Sequence, residues 1–568
     1  IARRKTLLRA RPAAAPEGAA LAASLGLPAL VGSLLIARGH GTTEHARQFL
    51  RPQLEQLHAP ELFAGMSDAV ARLSTAIRAG ERILVHGDYD VDGMCSTALL
   101  VRSLRALGGD VEFFIPDRRT DGYDLGSAGV AAATREGARV VLTADCGTTA
   151  IDAAEALAAA GIDLIITDHH LPGPALPRAV AILNPRRADC PSEDKEHAAV
   201  GMAFKLALAL TRALGGNEAV VFNQLDLVAL ATVADVAQLR GENRVFVRRG
   251  LALMKETKSA GLAALLRSSG LDAKPLTAGR LGYILAPRLN ALGRLASAMD
   301  GVRLLLADDP GEANELARRC EEHNRARQET DRAILAEAMA RVERLDLATT
   351  KGIVLAGDGW HPGVIGIVAS RVVEATGRPT LLIAVEQGIG KGSGRSIGAF
   401  DLHEALEACG DLLLKHGGHR AAAGLTIDAA QIPAFTERFA AVAAARLSDD
   451  DLVPELRIDL EVDLDEVTDD LERALRHLEP FGVGNPGPVF AVRGAEVQAG
   501  ARKIGTDGVK FTVAQSSGPI EAVAWGMADR AAMLKTGARV DLAFRVERDD
   551  YRGADRVRLG VVDVRGAE

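Results

Sequence analysis

Ile83-Leu84-Val85-His86-Gly87-Asp88-Tyr89-Asp90-Val91-Asp92-Gly93 is the stretch that decides how this chain folds. An apolar run stops, and one histidine and three aspartates follow at once. The run is short and β-rich, so it reads as a buried strand. Residues 94–107 then show helical spacing and end at Gly108-Gly109. His86, Asp90 and Asp92 therefore sit on a strand-to-helix loop, where ligands bind in an open α/β sheet. Carboxylates packed this densely repel one another. They stay ionised together only with cations between them.

The pattern recurs. Arg139-Val140-Val141-Leu142-Thr143-Ala144 ends in Asp145-Cys146-Gly147, and Ile162-Asp163-Leu164-Ile165-Ile166-Thr167 ends in Asp168-His169-His170. Helical segments such as 151–160 lie between these runs, so the strands are expected to be parallel, with their carboxyl ends on one side. A fourth candidate is Asp235, at the end of an apolar helix that starts near Leu225. An aspartate after a strand also serves to cap the next helix. Caps, however, do not need the accompanying histidines. Oxygen-rich ligands with one or two imidazoles suit Mn²⁺ or Mg²⁺ better than a structural zinc. There are enough ligands for two ions sharing a bridging carboxylate, an arrangement used to hydrolyse phosphate esters.

These residues resemble the motifs of the DHH phosphoesterase superfamily: His86-x-x-x-Asp90-x-Asp92, Asp145 with Gly147, and Asp168-His169-His170. Further strings resemble one branch of it, the bacterial exonucleases specific for single-stranded DNA. They are Gly122-Tyr123, Thr232-Val233-Ala234-Asp235-Val236, Pro287-Arg288-Leu289-Asn290-Ala291-x-Gly293-Arg294, Gly392-Ser393-Gly394-Arg395-Ser396, Gly417-Gly418-His419 and Phe481-Gly482-x-Gly484-Asn485-Pro486. The resemblance runs from about Arg38 to the end. Cys146 departs from it, since the family usually carries Asn or His there.

The resemblance implies that His86, Asp90, Asp92, Asp145, His169 and Asp235 hold two Mn²⁺ or Mg²⁺ ions. Asp145 would bridge them, with His86 and Asp90 on one ion and Asp92, His169 and Asp235 on the other. His170 is then the catalytic group touching the scissile phosphate, and Asp168 orients a ligand from behind. Asp88 has no role in this pattern. The implied substrate contacts are Arg288, Asn290, Arg294, Ser393, Gly394, Arg395, Ser396, Gly418 and His419. The implied activity is digestion of single-stranded DNA from the 5′ end with release of mononucleotides, in repair and recombination. A single-strand-binding protein and a helicase are the expected partners of a monomer.

Composition agrees. A chain of 568 residues is too long for one core. Hydrophobic content of 48% and charged content of 25% belong to a globular protein. No apolar run reaches membrane-spanning length, because residues 21–36 are interrupted by Gly, Pro and Ser. The five cysteines are scattered and fit a reducing cytoplasm. A net charge of −8 does not exclude nucleic acid, since only the groove must be positive. Basic residues concentrate locally at Arg118-Arg119, Arg186-Arg187 and Arg318-Arg319. The opening Arg3-Arg4-Lys5 with Arg9 and Arg11 reads as a loose tail.

The expected fold is two α/β domains (DHH and DHHA1) joined by a long helix, plus a C-terminal OB-fold β-barrel. Residues 1–75 form a helical segment packed on the first domain, and 76–308 form the DHH domain. Residues 309–346 are the charged connecting helix, and 347–450 the DHHA1 domain. In that second unit the glycines of 392–396 let the backbone approach a ligand, and Arg395 offers a bidentate phosphate fork. The active site is expected in the cleft between the α/β domains. Residues 451–568 comprise a linker and a barrel with strands at 489–492, 509–514, 520–525, 539–546 and 556–564. Its candidate DNA contacts are Arg502, Lys503, Lys510, Phe511, Trp525, Tyr551 and Arg552, with Phe511 and Trp525 also readable as barrel core.

Two rivals remain at this point. One is a phosphodiesterase of short oligonucleotides or cyclic dinucleotides, which would not need the terminal barrel. The other is a non-enzymatic replication scaffold, which would need broken metal motifs.

Overall fold

A computed structural model describes residues 7–10, 16–118, 120–516, 518–549 and 556–567. The chain divides into two compact units. One comprises residues 1–8, 291–297 and 318–456; the other comprises 9–290, 298–317 and 457–568.

The opening stretch contributes strand Arg82–Gly87 to a five-stranded parallel sheet. Asp110–Phe114 flanks it on one side, and Val140–Ala144, Asp163–Thr167 and Ala181–Leu183 follow on the other. Ile83, Leu84 and Val85 are fully buried. That is why the run lacks polar alternation: helices cover both faces of a parallel sheet. From Arg82–Gly87 the chain moves first to one neighbour, then crosses back to Val140–Ala144. A strand order that reverses in this way opens a crevice at the carboxyl ends of the diverging strands. Gly87 pairs with Ala144, so Asp88 and Asp145 leave the sheet side by side.

Leu225–Ala234 is a buried apolar helix that stops at Asp235. Among the described residues no single helix is long and apolar enough to cross a membrane.

The N-terminal segment departs from expectation. Met66–Ala79 does pack on the metal-bearing domain, where Arg72 Nε reaches Asp163 Oδ2 at 2.6 Å. Pro16–Leu25 and Ala29–Ala37 instead share a core with the barrel. Leu21, Leu34 and Leu35 lie in one buried cluster with Leu471, Leu478, Phe490 and Phe544. Arg38 fixes that junction by hydrogen bonds to Asp459 and, at 3.0 Å, to Asn485 Oδ1. Ala29–Ala37 is apolar on every side, so it needs cover all round, and nothing local says which part of the chain supplies it. Within the expected loose tail, Leu7–Ala10 forms a short strand; Arg3, Arg4, Lys5 and Arg11 lie outside the described residues.

The long charged segment is one helix, Pro310–Val342. Beyond it, a second sheet runs Lys415–Gly418, Ala422–Asp428, Ile389–Arg395, Thr380–Glu386, Ile353–Asp358, with only the last pair parallel. Helices Ile365–Thr376 and Ile432–Arg446 accompany it.

The C-terminal barrel closes as expected. Phe490–Ile504, Gly508–Ala514, Ile520–Ala524, Arg556–Gly566 and Arg539–Asp549 pair in that order, and the last returns to the first. Its first strand runs twelve residues past the expected Val492, to Ile504. Register shifts between Val497 and Arg502 bend it around the barrel.

Candidate active site

Asp90 caps helix Val91–Ala106, its Oδ1 accepting from the amides of Asp92 at 2.8 Å and Gly93 at 3.0 Å. Gly93 is required there, since a Cβ would lie 2.4 Å from the carbonyl oxygen of Asp88. Asp92 turns inward and accepts from the first amides of helix Ala199–Ala213: Ala199 at 2.7 Å and Val200 at 2.9 Å. Asp145 holds a left-handed backbone (φ 70°), rare for a residue with a Cβ, and its amide bonds Thr167 across the sheet.

The side chains meet in three overlapping groups whose donor atoms lie within 4.8 Å of one another: Asp88, Asp90 and Asp145; Asp92, His169 and Asp235; and Asp145, His169 and His170. Asp145 belongs to two of them. Its Oδ1 stands 3.2 Å from His169 Nε2 and 3.9 Å from His170 Nδ1, while His169 Nδ1 stands 3.8 Å from Asp235.

The electrostatics are those of a site awaiting positive charge. Burial, reinforced by neighbouring carboxylates, pushes Asp92 up to about 7 and Asp235 up to about 9. Asp88 and Asp145 are driven up by the same causes. The buried Oδ1 atoms of Asp88 and Asp145 make no hydrogen bond. Unsatisfied buried carboxylate oxygens on hard-ligand residues fit Mn²⁺ or Mg²⁺. Burial also lowers His169 to about 4, leaving a neutral imidazole suited to coordination.

Asp168 and His170 behave differently. Asp168 Oδ1 lies 2.7 Å from His170 Nδ1 and accepts from the amide of His169; Oδ2 accepts from Thr148. Burial works against the charge on Asp168, but these bonds hold it below the ordinary carboxylate range. His170 is opposed by burial too, yet Asp168 raises it to about 9. Its Nε2 faces the Tyr123 hydroxyl at 3.0 Å. Asp168 thus orients His170 through its side chain and accepts from the backbone amide of the expected ligand His169.

One expected ligand stands apart. His86 belongs to none of the three groups, although its buried Nε2, like the Oδ1 atoms of Asp88 and Asp145, makes no hydrogen bond. It is still part of the strand, so its ring lies in the packed layer, 5.6 Å from Phe114 and 3.5 Å from Cys146 Sγ. Gly129 leaves room for that ring, since a Cβ there would come within 2.6 Å of it. Asp88, for which the motif offered no role, takes the place beside Asp90 and Asp145. Tyr123 and Asp124 were also missed. Asp124 fixes the loop after Asp145 by accepting from the Gly147 amide at 2.6 Å and the Thr149 hydroxyl at 2.9 Å. The only signal for them was the Gly122-Tyr123 string. Cys146 touches His86 rather than the carboxylates.

In the second α/β unit, Ser393 and Arg395 lie on strand Ile389–Arg395 beside the first turn of helix Ile365–Thr376. A Cβ on Gly366 would meet Ser393 Oγ at 2.8 Å and Arg395 Nη2 at 3.2 Å. A cation and a helix N-terminus brought together make an anion-binding surface. Ser396 Oγ instead donates to the Phe400 carbonyl at 2.8 Å. Gly394 is packed against Leu381 and Leu402, and Gly418 (φ 139°) precedes the exposed His419. Arg288, Asn290 and Arg294 share helix Ala286–Leu295; Arg294 Nη1 donates to the Gly363 carbonyl at 2.7 Å, and Arg288 to that of Ile284.

On the barrel, Trp525 is 59% exposed, whereas Phe511 is 2% exposed and belongs to the core. Phe511 therefore offers no face to a base. Lys503 is exposed, and Lys510 pairs with Glu521 at 2.5 Å. Tyr551 and Arg552 lie outside the described residues.

This sheet, with its carboxylate and histidine groups at one crevice, is that of a DHH phosphoesterase. Family models match at residues 82–232 (DHH family, N-terminal domain), 349–445 (DHHA1 domain) and 458–563 (RecJ OB domain). The chain is 36% identical to the single-stranded-DNA-specific exonuclease RecJ of Bacillus subtilis, over 96% of this chain and 69% of that protein. Identity to RecJ of Escherichia coli is also 36%, over 93% and 94%. The crystal structure of Thermus thermophilus RecJ with Mn²⁺ superposes with a TM-score of 0.85 at 35% identity, covering 99% of this chain and 80% of that one. The chain belongs to the RecJ family of single-stranded-DNA-specific exonucleases.

Proposed function

We propose that this chain hydrolyses single-stranded DNA from its 5′ end, releasing mononucleotides, with two divalent cations at the crevice of the DHH domain. The observation that carries the reading is the sharing of Asp145 between ligand groups. Asp88, Asp90 and Asp145 would hold one ion, and Asp92, His169 and Asp235 with Asp145 the other. Divalent cations bound there supply Lewis acidity toward the phosphoryl oxygens and a more acidic water. The chain supplies the rest. Asp168 orients His170 through Nδ1, so that Nε2 is presented to a phosphoryl oxygen or leaving group. Tyr123 holds that atom in the absence of substrate. Ser393 and Arg395 present a phosphate-binding surface for the strand's end, and Trp525 a stacking face on the barrel.

The rivals fare worse: the carboxylate groups are intact, and the family match includes the barrel. Replication partners such as a single-strand-binding protein and a helicase, a monomeric state and a cytoplasmic setting accord with this reading; all five cysteines are buried free thiols. The deciding experiment labels a strand separately at each terminus, in EDTA and with Mn²⁺ or Mg²⁺ restored. Metal-dependent appearance of the 5′ nucleotide first is expected. Earlier loss of the 3′ label, or cutting of circular strands, would sink it.

A further inference from the structure

The doublet Arg186-Arg187 has no part in the site described so far. It lies just beyond strand Ala181–Leu183 and lines a cavity of about 410 Å³ with Leu171, Ala188, Lys195 and Glu196. The cavity opens directly beside the active-site loop. Leu171 follows His170 in the chain and is 56% exposed. Asn184 joins the two walls: its Nδ2 donates to the His170 carbonyl at 2.8 Å, and its Oδ1 accepts from the Arg186 amide at 2.8 Å. The charge of Arg186 is felt at both His169 and Asp235.

The walls are built rather than loose. Arg187 is committed to structure, bonding Asp189 through two nitrogens and the Ile182 carbonyl through a third. Lys195 Nζ donates to the Cys190 carbonyl at 2.7 Å. The buried Asn243 side chain holds the Glu196 carbonyl at 2.5 Å. Arg186 is the least committed cation of the set. Among the described residues its ion pair is with Glu196, long at 3.6 Å, with side chains 31% and 48% exposed. Such a contact is weak in water and yields readily to a phosphate that offers a bidentate fit.

We infer that this cavity is a subsite for an internal backbone phosphate of the DNA strand, flanking the scissile bond, with Arg186 as its principal contact and Lys195 as supporting charge. The proposal rests on the nuclease reading of the neighbouring site. An internal phosphodiester is favoured over a terminal phosphate because the function proposed above assigns the strand's end to Ser393 and Arg395. A flanking phosphate close to His170 also fixes where the scissile bond falls.

Binding of an end-labelled oligothymidylate 20-mer in EDTA, without cleavage, separates this proposal from the catalytic reading. Arg186→Ala is expected to weaken that binding about tenfold at moderate salt. It should also reduce the slope of log affinity against log salt by about one. Arg186→Lys should restore the slope but only part of the affinity. With metal present, the loss should fall in KM rather than kcat, and be smaller for a dinucleotide than for the 20-mer. Inhibition by a free mononucleotide reports a terminal-phosphate site; a shift in its inhibition constant equal to the strand effect would overturn the internal assignment. Unchanged affinity and slope in Arg186→Ala, or a fall confined to kcat, would overturn the subsite. If Arg186→Ala fails to fold, Lys195→Gln is expected to lower the slope in the same direction but by less, and an unchanged slope there would count against the proposal.

Discussion

Two buried clusters in the same domain bring carboxylates and histidine within metal-binding distance, and they are opposites. The first is the group around Asp145. The second comprises Asp194, His197 and Glu242. In the second, the Lys205 ammonium sits 2.5 Å from Glu242 Oε1, and His197 Nε2 lies 2.9 Å from Oε2. Burial would raise Glu242, but these partners hold it at about 2. Around Asp145, among the described residues, no lysine or arginine makes an ion pair with a carboxylate of the three groups; Arg118 and Arg186 act only through their charge, and burial pushes Asp88, Asp92, Asp145 and Asp235 up instead. A cluster that carries its own cation is finished when the chain folds. A cluster that lacks one is left open for an ion from solution. Ligand spacing alone does not separate the two; the resident charge does.

The sharpest break of this contrast is Asp145→Ala. Turnover should fall below about a hundredth of wild type, since one carboxylate serves both groups. Melting in EDTA should not drop, because a repelled, unsatisfied carboxylate is removed. A retained turnover, or a large loss of metal-free stability, would make the two clusters alike.

Glu242→Ala should act in reverse. It strands the buried Lys205 and should cost about 3–5 kcal/mol of stability by denaturant titration, with the metal requirement of the folded fraction unchanged.

Added Mn²⁺ should raise the melting temperature of wild type. The gain corresponds to about 2.7 kcal/mol at a hundred times the dissociation constant. It should persist in a mild Glu242→Gln variant and vanish in Asp145→Ala.

The two clusters should also pull stability in opposite directions with pH. Asp92 and Asp235 have folded values above the ordinary 3.8, so the fold binds more protons than the unfolded chain. Without metal they favour the fold at low pH, and that advantage is lost as pH rises from about 4 through 7 and 9. Glu242, depressed from 4.5 to about 2, contributes stability above 4.5 and loses it as pH falls toward 2. Melting curves in EDTA, compared with Asp235→Asn and Glu242→Gln, would resolve the two slopes. Parallel slopes would refute the contrast.

The smallest effect is expected at Cys146. It touches His86 and not the carboxylates, so Cys146→Ser should leave the metal concentration for half-activity within about twofold. A larger shift would place His86 and its neighbour inside the ion site after all.

Much of this was legible because strand periodicity and ligand chemistry are local. The run Ile83–Val85 gave its burial away, and Asp145 and His169 each end an apolar strand. What escaped depended on where a strand stops. Arg82–Gly87 extends just far enough to hold His86 at the end of the strand and to release Asp88, for which the motif offers no role, beside Asp90 and Asp145. Phe511 and Trp525 are equally aromatic, and only barrel closure buries one and exposes the other. The helix Ala29–Ala37 announced that it needed cover but not that the barrel would supply it.

That last arrangement bears on how the protein is born. Arg38 and Asp459 are partners separated by 421 positions. At a ribosomal rate of about 5–20 residues per second, the N-terminal helices emerge roughly 20–80 s before the segment that covers them. Through that interval Leu34 and Leu35 have no permanent cover, and a chaperone or an early, provisional collapse must shield them. Helix Ala29–Ala37 is completed by a segment made more than four hundred residues after it.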